Sequence, residues 1–128
     1  MRIAISAVII EDGNLLLVRK KNSWILPGGK TEADESDLQC LSRELGEELS
    51  GTKIYNEKFY GSFKGRTPHR GDVLEARVYF ADINGELRGV RNGDSISESA
   101  WARDFANYNL SDITSKIVDS LKNDGCLE

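Results

Sequence analysis

The sequence predicts an α+β domain, layered as helices on both sides of a mixed β-sheet, and three observations predict it. Apolar, partly β-branched runs such as Ile3–Ile10, Leu15–Val18 and Val78–Phe80 read as buried strands. Two other segments place apolar residues at helical spacing instead: Leu38, Leu41, Leu45 and Leu49, then Ile113, Ile117, Val118 and Leu121. Strand-like segments precede and separate these helices, which is the order of an α/β/α arrangement. A length of 128 residues fits one domain spanning 1–128.

In chain order, Arg2–Ile10 reads as a largely buried strand. Glu11-Asp12-Gly13-Asn14 reads as a hairpin turn and Leu15–Lys20 as the returning strand. Trp24-Ile25-Leu26 is a short apolar stretch. Pro27-Gly28-Gly29 stops it and reads as a sharp loop that continues neither strand nor helix. A helix follows from Asp34 or Glu35 to Leu49, with Gly51 suited to its stop. Thr52–Phe63 and Val73–Ile83 are strand-rich and flank a loop at Lys64–Asp72. Asn84-Gly85 reads as a second hairpin turn. Glu98–Ala102 is a short strand, and Ser111 caps a helix running to Lys122.

Composition excludes several classes. No apolar run reaches the roughly 20 residues of a membrane-spanning helix. The N-terminus has no signal-peptide pattern, so a cytoplasmic protein without a membrane partner is expected. Two cysteines, Cys40 on the first helix and Cys126 in a tail, make no disulfide framework. With His69 as the single histidine, little material exists for a zinc site. The net charge of −4 argues against a stable nucleic-acid partner. A small phosphorylated ligand remains open if cations gather locally.

The most informative residues are Arg43-Glu44-Leu45-Gly46-Glu47-Glu48. Glu44, Glu47 and Glu48 fall within an arc of about 100°, offset from the leucine stripe. Like charges at these spacings repel. Glu47 and Glu48 also sit in the last turn, where the helix dipole disfavours anions. Gly46 inside the helix costs about 1 kcal/mol against Ala. A solvated acidic face is the plain alternative. A divalent cation would turn the electrostatic penalties into attractions, and hard oxygen donors suit Mg²⁺ or Mn²⁺.

Gly29, Glu35 and Arg43-Glu44 through Glu47-Glu48, separated by gaps of five and seven residues, resemble the signature of the Nudix hydrolase family over residues 29–51. Trp24–Gly28 is similar to the family's lead-in. The chain departs from the pattern after Glu48, where Ser50 and Gly51 stand one place out of step with the usual Gly and aliphatic residue.

The resemblance implies a Nudix-like sandwich and a Mg²⁺-dependent hydrolase, with Mn²⁺ as substitute. Its substrate would be a diphosphate linkage in a nucleoside diphosphate joined to another group, with a (d)NTP first in line. ADP-ribose, towards which Pro68 points, and dinucleotides are the alternatives. A non-catalytic nucleotide-binding module of the same fold is the competing class. Glu47 and Glu48 would hold the metal, Glu44 would be ligand or base, and a carbonyl at Gly28 would be a further ligand. Arg43 would orient the glutamates, with Glu35 sharing its bridge. Glu98, in the pattern Glu98-x-x-Trp101, and Asp94 are later candidates for the base. Gly29, Lys30, Arg19 and Trp24 are the candidate substrate contacts. Lys20, Lys21, Arg66, His69, Arg70, Phe63 and Tyr79 are weighed as further contacts, against ordinary surface or core roles. By family analogy a homodimer is expected.

Overall fold

A computed structural model describes residues 2–67, 71–85 and 96–128. The strands divide between two four-stranded sheets. In the first the order is β5 (Gly28–Lys30), β1 (Arg2–Val8), β7 (Val73–Gly85), β6 (Thr52–Arg66). β1 runs parallel to β7, while the outer pairs are antiparallel, so this sheet is mixed. In the second, β3 (Asn14–Lys20) pairs antiparallel with β2 (Ile10–Glu11), β4 (Ser23–Ile25) and β8 (Ile96–Ala102). The single strand expected over Arg2–Ile10 is therefore two. The chain leaves the first sheet after Val8 and enters the second at Ile10.

The sheets are buried on both faces because side chains alternate along each strand. Ile5, Ala7, Ile9, Leu16 and Val18 face one core with Cys40, Leu41, Leu45 and Leu49 of helix α1 (Asp37–Glu48). Val8, Leu15, Leu17, Ala76 and Val78 face the other with Ile113, Ile117, Val118 and Leu121 of helix α2 (Asp112–Asn123). The expected inner face of α2 and its Ser111 cap are both present. Leu38, counted in the α1 stripe, is 41% exposed, so the buried stripe begins at Cys40 and Leu41.

Local chemistry fixes the boundaries. Asp12 and Gly13 both take positive φ, as a two-residue hairpin turn requires. α1 starts at Asp37, two or three residues later than expected, because Asp34 is left-handed at φ 66° and Ser36 is the cap. Ser36 Oγ accepts from Gln39 N at 3.1 Å and Gln39 Oε1 accepts from Ser36 N at 2.9 Å, a closed capping box. Gly51, at φ 87°, ends the helix.

Three further expectations change. Gly28–Lys30 is not a loop but a strand, antiparallel to β1. A Cβ on Gly28 would lie 2.0 Å from the Ile5 carbonyl oxygen, so only glycine permits that pairing. Asn84 and Gly85 are the paired end of β7, opposite Lys53 and Thr52, and not a turn. A Cβ at Gly85 would meet the Gly51 carbonyl at 2.3 Å, so close backbone approach is its role. Cys126 and Leu127 are no free tail: they pack on the α2 core. Among the described residues, no helix is long and apolar enough to cross a membrane.

Candidate active site

α1 docks on β5 through Cys40, whose thiol lies 3.6 Å from the Gly29 carbonyl. That docking sets the acidic flank of α1 beside the two glycines. Glu48 is 4% exposed, and its Oε1 accepts from the Gly28 amide at 2.8 Å. A Cβ on Gly29 would lie 2.3 Å from the Glu44 carboxyl carbon, so the missing side chain is the space Glu44 fills. No basic residue stands in the last turn of α1 to offset Glu47 and Glu48.

Arg43 organises the flank. Its Nε donates to Glu35 Oε2 at 2.6 Å and its Nη2 to Glu35 Oε1 at 3.0 Å, a bidentate pair. Nη1 donates to Glu44 Oε1 at 2.9 Å, and Nη2 also reaches the Lys30 carbonyl at 3.1 Å. Glu47 Oε1 lies 3.7 Å from Nη1. One guanidinium thus ties the loop, β5 and the helix acids together. Its hydrogen bonds, then the Glu32 backbone bond, hold the Glu35 carboxyl down to about 2. Burial, with Glu35 nearby, pushes the Cys40 thiol up to about 11, so it is a packing group rather than a nucleophile.

Among the described residues, no three His, Cys, Asp or Glu side chains stand gathered tightly enough to grip a metal ion. Convergence of the three glutamates on one point, as the spacing suggests, is therefore not present. Glu44 is turned to Arg43 and Glu48 to the Gly28 amide. The donor set nonetheless fits a hard divalent cation. It comprises three carboxylates on one flank, one of them buried, beside glycine backbone that leaves room for close approach.

On the other face of β1 and β5 lies a cavity of about 410 Å³. Gly28, Gly29 and Lys30 form the rim it shares with the acidic flank. Arg2, Lys20, Lys21, Lys30 and Arg66 all line it, and among the described residues no carboxylate does. Its floor is made of Ala4, Ser6 and Ala76, small side chains that leave space. Its walls are Leu26, Leu74, Ile113, Thr114 and Ile117.

Of the candidate substrate contacts, Gly29 and Lys30 line this cavity, but Arg19 and Trp24 do not. Arg19 pairs with Glu98 at 2.7 Å across β3 and β8, so Glu98 is engaged there and lies outside the cavity lining. Trp24 packs edge-on against Tyr108, and its backbone bonds Asn109 and Ser111, which makes it an anchor for the approach to α2. Phe63 packs on the α2 core, and Tyr79 donates to Asp37 at 2.8 Å. Pro68, His69, Arg70 and Asp94 lie outside the described residues. Arg2, Ser6, Thr67 and Thr114 line the cavity without having been singled out. The signal for the first two was the alternation Arg2-Ala4-Ser6 against Ile3-Ile5-Ala7, which gives β1 one small or polar face.

The model of the NUDIX domain family matches residues 1–104. An ADP-ribose pyrophosphatase of Methanocaldococcus jannaschii is 30% identical over 105 residues, 77% of this chain and 60% of that one. A CTP pyrophosphohydrolase of Escherichia coli is 43% identical over 51 residues, 35% and 38% of the two chains. The crystal structure of a MutT NUDIX hydrolase from Burkholderia pseudomallei superposes with a TM-score of 0.79 at 27% identity, covering 92% of this chain and 95% of that one. The chain spans between 38% and 60% of the length of the curated relatives it matches.

Proposed function

The chain belongs to the NUDIX family, and from that premise we propose that it is a Mg²⁺-dependent pyrophosphohydrolase. It cleaves the diphosphate linkage of a nucleoside diphosphate joined to another group, with a nucleoside triphosphate as the first substrate to test. One observation carries this reading: the acidic flank of α1 and a cavity whose charged lining, among the described residues, is all Lys and Arg share the rim Gly28–Lys30. Phosphate charge is welcomed on the cavity side of that rim, while the carboxylates on the other side suit a metal and a proton acceptor. The relatives differ in the substrates their names carry, CTP and ADP-ribose. ADP-ribose and dinucleotides therefore stand in the same test. Residues 1–128 act as one such domain.

In this mechanism Glu47 and Glu48 would hold the cation together with the Gly28 carbonyl, and Mn²⁺ would substitute for Mg²⁺. A cation bound there neutralises phosphoryl oxygens and acidifies water. Glu44 takes the proton of the attacking water as the new oxygen–phosphorus bond forms and the bridging anhydride bond breaks. Arg43 keeps Glu44 aimed and touches no substrate. Lys30 and the neighbouring cations steady the departing phosphate. To hold a cation, Glu48 would have to leave the Gly28 amide that it now accepts from.

The test is a product screen with Mg²⁺, reading pyrophosphate or phosphate release from triphosphates and formation of the nucleotide products from ADP-ribose and dinucleoside polyphosphates. Glu47→Gln and Glu48→Gln should each abolish turnover while melting within a few degrees of the parent. Glu48→Gln retains an oxygen to accept the Gly28 amide, so its fold survives. Unchanged turnover in both variants would remove the assigned roles.

A further inference from the structure

The cavity has an end remote from the acidic flank, and its chemistry is distinctive. Arg2, Ala4 and Ser6 project from one face of β1, and Gly28 lies opposite Ser6. At about 3.3 Å per residue, Arg2 is on the order of 13 Å along the strand from the Gly28 level. That spacing is comparable to the length of a nucleotide.

Two guanidinium groups hold that end. Arg2 Nε and Nη2 donate to the two carboxylate oxygens of Asp72 at 2.9 and 3.0 Å, a bidentate clamp. Thr67 Oγ1 donates to the same carboxylate at 2.5 Å. Arg66 Nη1 donates to the Gly71 carbonyl at 2.6 Å. The Arg66 amide donates to Asp112 Oδ2 at 3.0 Å, an approach that Gly65 permits because a Cβ there would lie 2.8 Å from that oxygen. Among the described residues, Asp72 engages Nε and Nη2 of Arg2 and leaves its Nη1 edge for a ligand. No carboxylate among the described residues lines the cavity to compete for it. A cation fixed by such a clamp is more restricted than a surface arginine, so less is lost when it binds.

Resting on the hydrolase reading above, we propose that Arg2, positioned by Asp72, selects the substrate by donating to an acceptor-rich group remote from the cleaved diphosphate. That group is an oxygen acceptor, supplied either by a nucleobase carbonyl or by a second phosphoryl group. Arg66 reinforces the positive field there. Asp72 is a positioning residue, since its contact with the ligand runs through Arg2.

The experiment measures kcat and KM with Mg²⁺ for four nucleoside triphosphates and for ribose 5-triphosphate, which has no base. In Arg2→Met, KM should rise about tenfold or more, as loss of a charged hydrogen bond implies. kcat should stay within about threefold, because the chemistry lies at the other end. Asp72→Asn should show the same split at smaller size, and Arg2→Lys should fall between parent and Arg2→Met. A KM rise confined to CTP, GTP and UTP identifies the base carbonyl, which adenine lacks; an equal rise with ATP and ribose 5-triphosphate identifies a phosphoryl group. Unchanged KM throughout in folded Arg2→Met, or a loss in kcat alone, overturns the proposal. Should the parent hydrolyse none of these substrates, nor ADP-ribose nor dinucleoside polyphosphates, the hydrolase reading falls. Equilibrium dialysis of the same nucleotides against parent and Arg2→Met then decides Arg2 separately: weaker binding by the variant supports it, equal binding or none overturns it.

Discussion

Substituting the two rim glycines with alanine separates the fold from the chemistry. At Gly29 an added Cβ would sit 2.3 Å from Glu44 Cδ and 2.4 and 2.6 Å from its two oxygens. All three atoms are the far end of a flexible side chain, so Glu44 can swing away. Gly29 is not among the residues with positive φ, so its backbone accepts alanine. The stability change in Gly29→Ala should therefore be about 1 kcal/mol or less, and Tm should move by about 4 °C at most. Turnover should fall about a hundredfold, because an ångström of displacement at a reacting group costs that much.

Gly28→Ala behaves in the opposite way. Its φ is 149°, and the new Cβ would lie 2.0 Å from the Ile5 carbonyl oxygen, which is backbone and cannot rotate aside. Strain there costs on the order of 3 kcal/mol, and Tm should fall by about 10 °C. The assay is thermal unfolding of both variants beside steady-state hydrolysis of the preferred nucleotide. Gly29→Ala with parent-like turnover would refute the placement of Glu44 in the reacting centre. Gly28→Ala with parent-like stability would refute the pairing of β5 with β1.

Two further outcomes follow from the same geometry. A Cβ at Gly46 would meet nothing within 4 Å, so Gly46→Ala should stabilise the helix by about 1 kcal/mol and raise Tm by about 4 °C with turnover retained. Glu35 and Asp72 both titrate below their ordinary values, each at about 2, owing first to hydrogen bonds from Arg43 and Arg2. A depressed folded pKa gives stability that is present above the unfolded pKa and is lost as pH falls towards the folded one. Tm should thus drop as pH falls from 4.5 to about 2, and Glu35→Gln or Asp72→Asn should flatten the drop. An unaltered acid slope in both variants would contradict the pairing.

The element types were legible because their causes are local. The leucines of α1, the inner face of α2, the Ser111 cap and the Asp12-Gly13 turn follow from spacing and backbone preference within a few residues. The acidic helix was legible for a related reason. Like charges beside one another in a last turn without a basic residue are unfavourable to a helix alone, and so point outward to a ligand.

Errors came where a second segment decided. Gly28-Gly29 resembles a loop in isolation, and becomes a strand only because β1 lies within reach and no Cβ intervenes. Asn84-Gly85 looks like a turn until Gly51 crosses it. Arg19 and Trp24 sit near the signature in sequence, yet they are engaged by Glu98 and Tyr108 from distant parts of the chain.

By itself, the sequence determined which side chains could hold a cation and the helix that presents them, since both depend on spacing along one segment. Only the tertiary structure decided what those acids face. Arg43 reaching Glu35 and Lys30, Glu48 on the Gly28 amide, and Arg2 clamped by Asp72 at the cavity's far end join residues 8 to 70 positions apart. Side-chain reach in space, and not proximity along the chain, fixes such contacts.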